Sequence, residues 1–113
     1  MSGVPGVNLS VLRQAVADGR IEWRKHVLQR LAERKLRQSA VLDVLQVGDV
    51  IEDYPDDKPF PSGLFFGYVG GRPLHVVAAL DEVAAQAYII TAYEPSAEIF
   101  EADYRTRRKR SST

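Results

Sequence analysis

Four segments between residues 49 and 93 constrain the fold of this chain most strongly. They are rich in β-branched and aromatic residues, a composition that predicts β-strands. In order they read DVIEDY, LFFGYVG, GRPLHVVAAL and AQAYIITAY, and the Pro- and Asp-rich loop PDDKPFPSG separates the first two. Because the links between consecutive segments are short, they predict an antiparallel, four-stranded meander.

Three segments with apolar residues at helical spacing precede these strands. They read VNLSVLRQAVADGR, IEWRKHVLQRLAERKL and RQSAVLDVLQVGDV. Asn8 or Ser10 is a candidate cap for the first helix and Ser39 for the third, while Gly19 and Gly48 are typical helix ends. Helices followed by strands predict an α+β domain whose N-terminal helices pack on the sheet. A short further helix is expected after residue 95.

The length and composition of the chain fit one small domain. Its 113 residues, 45% of them hydrophobic, are enough to bury a modest core. Cysteine is absent, which excludes disulfides and cysteine-ligated zinc and fits a cytoplasmic location. We find no apolar run near the roughly 20 residues of a membrane span and no signal-peptide pattern. Metal-binding spacings and phosphate-binding glycine loops are also missing, so we expect no metal and no cofactor.

The formal net charge of zero conceals a segregation of charge along the chain. Cations concentrate between residues 13 and 37 and again in RTRRKR at residues 105–110, whereas acids concentrate between residues 43 and 103. We therefore expect a single domain over residues 1–104 and a basic flexible tail over residues 105–113. The basic regions suit a polyanion such as RNA, although solvated helix faces and basic tails are common without such a partner.

The second predicted helix carries a row of cations beside its apolar stripe. His26, Arg30 and Arg34 are spaced four apart, and at about 100° per residue they lie along the edge formed by Val27 and Leu31. Two arginines and a histidine suit a phosphodiester, because arginine offers a planar fork of donors and histidine exchanges a proton near neutral pH. In the alternative interpretation the arginines pair with carboxylates and brace the fold.

Further candidates lie on the predicted strands. His75 stands in the middle of PLHVVAAL, while Thr91 and Tyr93 alternate onto one face of the last strand. If paired residue numbers across this hairpin sum to an even number, His75 shares that face. The sequence leaves this register open. Glu52 and Tyr54 likewise share a face of the first strand.

These segments together resemble a bacterial family known as domain-of-unknown-function family 4258. The resemblance runs from about residue 21 to residue 95, and it continues weakly into FEADYRTRRKR. It rests on the helix histidine followed by two arginines and on the motifs GDVIEDYP, RPLHVV and TAYEP. The order of helices followed by a sheet is similar to RelE-like and MqsR-like ribonuclease toxins. Relatives of the family are often encoded beside a small zinc-finger antitoxin.

The resemblance implies a RelE-like α+β fold and a toxin-type, metal-independent endoribonuclease with RNA and an antitoxin as partners. Such cleavage uses the ribose 2′-hydroxyl as nucleophile and needs a base, an acid and cations beside the phosphate. Seven side chains suit these tasks. The candidates for catalysis are His26, His75 and Tyr93, and the candidates for substrate binding are Arg30, Arg34, Tyr54 and Thr91. The alternative is a non-catalytic protein-interaction or RNA-binding domain.

Overall fold

Three helices and five strands form an α+β domain in the computed structural model, which describes residues 6–109. The predicted α+β class is therefore confirmed. In chain order the elements are α1 (Leu9–Ala17), β1 (Ile21–Trp23), α2 (Lys25–Arg34), α3 (Gln38–Val47), β2 (Asp49–Tyr54), β3 (Ser62–Val69), β4 (Arg72–Asp81) and β5 (Gln86–Tyr93). None of the helices in residues 6–109 is long and apolar enough to cross a membrane.

The sheet has the strand order β1-β5-β4-β3-β2. Strands β2 to β5 form the predicted antiparallel meander, but β1 adds a fifth strand that runs parallel to β5. The prediction of a four-stranded, purely antiparallel sheet was wrong because it placed Ile21–Trp23 in the second helix. Those three residues extend instead and pair with the edge of β5, which satisfies backbone groups that a free edge leaves unpaired.

The helix ends follow the predicted signals in part. The Asn8 side chain caps α1 by accepting a hydrogen bond from the Val11 amide at 3.3 Å, and Gly48 ends α3 as predicted. Ser39 is not the cap of α3, because that helix begins at Gln38 and Arg37 occupies the cap position. The helix expected after residue 95 is absent from the described residues, where turns and a bridge between Phe100 and Arg107 take its place.

All three helices pack on one face of the sheet, which we call the helix face. The core between them holds Leu12, Leu31, Leu45, Phe65 and Val76, each almost fully buried. Burial of one such side chain contributes about 1.5–3 kcal/mol to stability. Since side chains alternate along a strand, the neighbours of these core residues point to the opposite, distal face of the sheet. The site described below lies on the distal face.

The C-terminal segment, residues 95–109, folds back over the distal face. Phe100 is 2% exposed, and the Arg108 amide donates a hydrogen bond to the Ile99 carbonyl at 2.7 Å. Arg105 pairs with Asp49 of β2 at 3.1 Å. Described residues of the predicted tail thus contact the sheet, while residues 110–113 lie outside the described part of the chain.

Candidate functional site

His75 occupies the centre of the distal face and is fully buried. It pairs with Tyr93 across the β4–β5 hairpin and with Phe66 on its other side. The paired numbers 75 and 93 sum to an even number, so His75 shares a face with Tyr93 and Thr91. The sequence allowed two registers for this hairpin, and the structure has the one that brings these side chains together.

The two ring nitrogens of His75 have different surroundings. Nε2 lies 2.7 Å from the Tyr104 carbonyl oxygen, and because a carbonyl only accepts, Nε2 carries the hydrogen. Nδ1 therefore keeps its lone pair, and it lies 3.5 Å from the Tyr93 hydroxyl. Burial lowers the pKa of His75 below its ordinary value, so the ring is neutral at pH 7. The imidazole is thus a proton acceptor placed behind a tyrosine hydroxyl.

Aromatic rings enclose this imidazole. The Phe100 ring lies edge-on with its centroid 4.6 Å from that of His75, and the Phe66 centroid lies at 5.5 Å. The Tyr93 ring, at 5.4 Å, is only half-buried. Burial raises the pKa of Tyr93, so its hydroxyl stays protonated near neutral pH. Tyr93 is consequently the member of the pair that solvent and ligands can reach.

A carboxylate, a tyrosine and an arginine meet beside this pair. Arg107 donates to both oxygens of Glu52, from Nε at 2.8 Å and from Nη2 at 3.2 Å, and the Tyr54 hydroxyl donates to the same carboxylate. Burial, reinforced by the Glu52 carboxylate, raises the pKa of Tyr54 to about 12. Burial also opposes ionisation of Glu52, but hydrogen bonds from Arg107 and Tyr54 hold the pKa of Glu52 below its ordinary value. The carboxylate is therefore charged, paired and fixed in place.

We name these five side chains the distal cluster: Glu52, Tyr54, His75, Tyr93 and Arg107. It offers one proton acceptor, two protonated hydroxyls, one guanidinium and one carboxylate. The Arg107 guanidinium also lies 5.0 Å over the Phe100 ring, a contact that holds the cation against the sheet. Within residues 6–109, no three His, Cys, Asp or Glu side chains are placed to hold a metal ion. The chemistry available to the cluster is proton transfer and stabilisation of negative charge.

The predicted row of cations on α2 does not join His75. His26 is exposed in the first turn of α2, and Arg30 is 61% exposed with only a 3.4 Å pair to Glu33. Arg34 donates from Nη1 to the Ala92 carbonyl at 2.8 Å. Because α2 packs on the helix face while His75 points to the distal face, the seven predicted residues do not form one site. Four of them share the distal face: Tyr54, His75, Thr91 and Tyr93.

Two members of the distal cluster were not among the predicted site residues. The alternation of Glu52 and Tyr54 along β2 was a usable signal, since it places both on one face. Arg107 gave no comparable signal, because a basic run near the end of a chain is usually solvated. Its pairing with Glu52 joins residues 55 positions apart. Only the folded structure reveals that contact.

The two arginines of α2 are expected to differ in their contribution to stability. Arg34→Ala removes a charge-assisted hydrogen bond to a part-buried carbonyl and should lower the free energy of unfolding by about 1–3 kcal/mol. Arg30→Ala is the matched control, because an exposed pair between neighbouring turns contributes at most about 0.5 kcal/mol. Urea unfolding of both variants measures the difference. Equal losses would contradict the assignment of Arg34 as a structural contact.

Comparison with known proteins gives a family and no characterised relative. No curated protein and no solved structure matches the chain. The family model described as "Domain of unknown function (DUF4258)" matches residues 23–94, which is 72 of the 113 residues. The match includes Glu52, Tyr54, His75 and Tyr93 of the distal cluster, whereas Arg107 lies outside it. The chain belongs to the family Domain of unknown function (DUF4258).

Proposed function

We propose that this protein is a toxin-type, metal-independent endoribonuclease whose catalytic site is the distal cluster. The observation that carries the proposal is the His75–Tyr93 pair: a buried neutral imidazole with its free Nδ1 lone pair 3.5 Å from a half-exposed tyrosine hydroxyl. The guanidinium of Arg107 lies on the same face. This is the combination of a proton acceptor and a cation that metal-free phosphoryl transfer requires.

In the proposed reaction the ribose 2′-oxygen attacks the adjacent phosphorus and the bond from phosphorus to the 5′-oxygen breaks. The 2′-hydroxyl gives its proton to the Tyr93 oxygen, while the Tyr93 proton passes to Nδ1 of His75. The Tyr104 carbonyl stabilises the resulting imidazolium through Nε2. Water supplies a proton to the departing 5′-oxygen. The products are a 2′,3′-cyclic phosphate and a 5′-hydroxyl, and no metal takes part.

In this mechanism the Arg107 guanidinium stabilises the negative charge that grows on the phosphate oxygens. Glu52 and Tyr54 hold its guanidinium in position, so Tyr54 assists substrate binding indirectly. Thr91 is half-buried on the same face, two residues before Tyr93, and can contact the ribose. The exposed His26 and Arg30 then belong to an outer RNA-binding surface on α2, and His26 loses the catalytic role that its sequence position suggested.

The proposed biological setting follows from the resemblance of the sequence. Helices followed by an antiparallel meander are similar to the arrangement of RelE-like toxins, although β1 adds a parallel edge strand here. A toxin of this class would act on cytoplasmic RNA and would be held inactive by an antitoxin. Fold-level similarity is weak support for activity, so the proposal depends on the chemistry of the cluster.

A non-catalytic interaction domain is the second candidate, and one observation favours it. The polar groups of the distal cluster largely satisfy one another: Glu52 accepts from both Arg107 and Tyr54, and Nε2 of His75 is occupied by a carbonyl. The sole role of such a satisfied polar network can be to fix the C-terminal segment on the sheet. In that case the cluster is an internal brace and binds no substrate.

The decisive experiment is incubation of the purified protein with single-stranded RNA in the presence of EDTA, together with induced expression in a bacterium. We expect cleavage that leaves cyclic phosphate and 5′-hydroxyl ends, and we expect arrested growth on induction. Intact RNA and normal growth with soluble, folded protein would favour the interaction domain. Cleavage that EDTA abolishes would contradict the metal-independent mechanism.

A further inference from the structure

A second polar feature lies where the turn between α2 and α3 meets the β3–β4 hairpin. A hollow of about 160 Å³ opens there to solvent. Three cations from two parts of the chain line it: Lys35 and Arg37 from the helix turn, and Arg72 from the first position of β4. Its volume is large enough for a phosphate group. We call it the basic hollow.

The charges around the basic hollow are unbalanced. Arg72 pairs with Glu94, and among the described residues Glu94 is the only carboxylate that lines the hollow. Lys35 and Arg37 therefore leave an excess of two positive charges. Arg34 precedes Lys35 and adds a further cation beside the lining residues. Its guanidinium donates a hydrogen bond to the carbonyl of Ala92, two residues before Glu94. Like charges held together in this way repel one another unless an anion joins them.

The backbone at Lys35 is a second notable feature. Lys35 caps the end of α2 in the left-handed conformation, with a φ of 56°. Glycine is the usual residue there, and a side chain at such a position costs about 1 kcal/mol. Strained backbone often accompanies functional positions, so this conformation adds Lys35 to the candidate functional residues.

The basic hollow lies at the same end of the sheet as the distal cluster. Glu94 directly follows Tyr93, and Arg72 lies three residues before His75 on β4. At the rise of an extended strand, three residues span about 10 Å. The hollow and the cluster thus occupy the same end of β4 and β5 but opposite faces of the sheet, because Leu36, Ala40 and Leu74, which line the hollow, belong to the helix face.

We propose that the basic hollow binds a backbone phosphate of an RNA strand that passes round this end of the sheet and places another of its riboses at Tyr93. This inference rests on the proposed function and adds the path of the substrate to it. Arginine and lysine together suit a phosphate, because the guanidinium binds two oxygens at once and the ammonium adds a mobile charge. The shared chemistry is an oxyanion, and free phosphate is the competing source.

The test is the affinity of the double variant Lys35→Gln/Arg37→Gln for a fluorescent oligomer of twelve uridines, measured by anisotropy at several salt concentrations. We expect affinity to fall about tenfold and the log–log salt dependence to become shallower by about 0.7, the value for one single-strand phosphate. The matched control is Arg20→Gln/Lys58→Gln, which removes one exposed arginine and one exposed lysine near the opposite end of the sheet. It should change affinity by less than about twofold.

Several outcomes would overturn the inference. They are unchanged RNA affinity in the Lys35/Arg37 variant, an equal loss in the control, or no RNA binding by the wild type. Calorimetry with inorganic phosphate at constant ionic strength separates the two sources of the oxyanion. Saturable phosphate binding that the double variant loses, with RNA affinity unchanged, would assign the hollow to free phosphate. RNA binding that depends on Lys35 and Arg37 without any cleavage would support the hollow and contradict only the proposed enzyme.

Discussion

Replacement of Tyr93 by phenylalanine is expected to slow RNA cleavage by about 10²–10⁴-fold, the usual range for loss of a group that transfers a proton in the transition state. The substitution removes only the hydroxyl, which lies 3.5 Å from Nδ1 of His75 in a long and weak contact. Stability should therefore change by less than about 1 kcal/mol. Single-turnover cleavage of a labelled RNA, with a thermal melt of the same sample, measures both effects.

Tyr68 offers the matched control for this experiment. It is a tyrosine on the same face of the sheet, 59% exposed, and it pairs with Pro73 rather than with a histidine. Tyr68→Phe should leave the cleavage rate within about twofold of the wild type. Full activity of Tyr93→Phe would remove Tyr93 from the proton path. A second variant, His75→Gln, tests whether Tyr93 acts together with the imidazole or alone. Glutamine can still donate a hydrogen bond to the Tyr104 carbonyl but does not take up a proton, so this variant removes the relay and keeps the tyrosine.

The meander of β2 to β5 could be predicted because each strand carries its own signal. The alternation of side chains along a strand is also enough to place Glu52 with Tyr54 and Thr91 with Tyr93. The sequence left open the register of one hairpin, which has two outcomes. Since a shift of one residue turns every side chain to the opposite face, no local pattern could decide where His75 points.

Pairings between distant parts of the chain could not be predicted. Strand β1 is three residues long, and its backbone is extended only because the edge of β5 is free to pair with it. The prediction that His26 and Arg30 lie on one helix was confirmed, but spacing within a helix does not tell which face of the sheet the helix covers. The pair between Arg107 and Glu52 forms because the C-terminal segment folds back onto the sheet, and no sequence motif predicts that path.

Phe100→Ala is expected to lower the free energy of unfolding by about 3–5 kcal/mol, the range for truncation of a buried aromatic ring. Phe100 is 2% exposed and its ring contacts both His75 and Arg107. The neighbouring Ile99 is 52% exposed and is the matched control, for which Ile99→Ala should cost less than about 1 kcal/mol. Urea unfolding of the two variants gives the comparison.

The size of the Phe100 effect also tells whether the C-terminal segment unfolds together with the sheet. If the segment opened by itself, the loss measured by global unfolding would be limited to the free energy of that local opening. A cost below about 1 kcal/mol, with rapid proteolysis near residue 100, would therefore contradict cooperative folding. His75 would then lose the Tyr104 carbonyl and become exposed in the open form, and its lowered pKa would return toward the ordinary value. Under the proposed mechanism the closed form is the active one, because only there does the Tyr104 carbonyl hold the hydrogen on Nε2 and leave Nδ1 of His75 facing the Tyr93 hydroxyl.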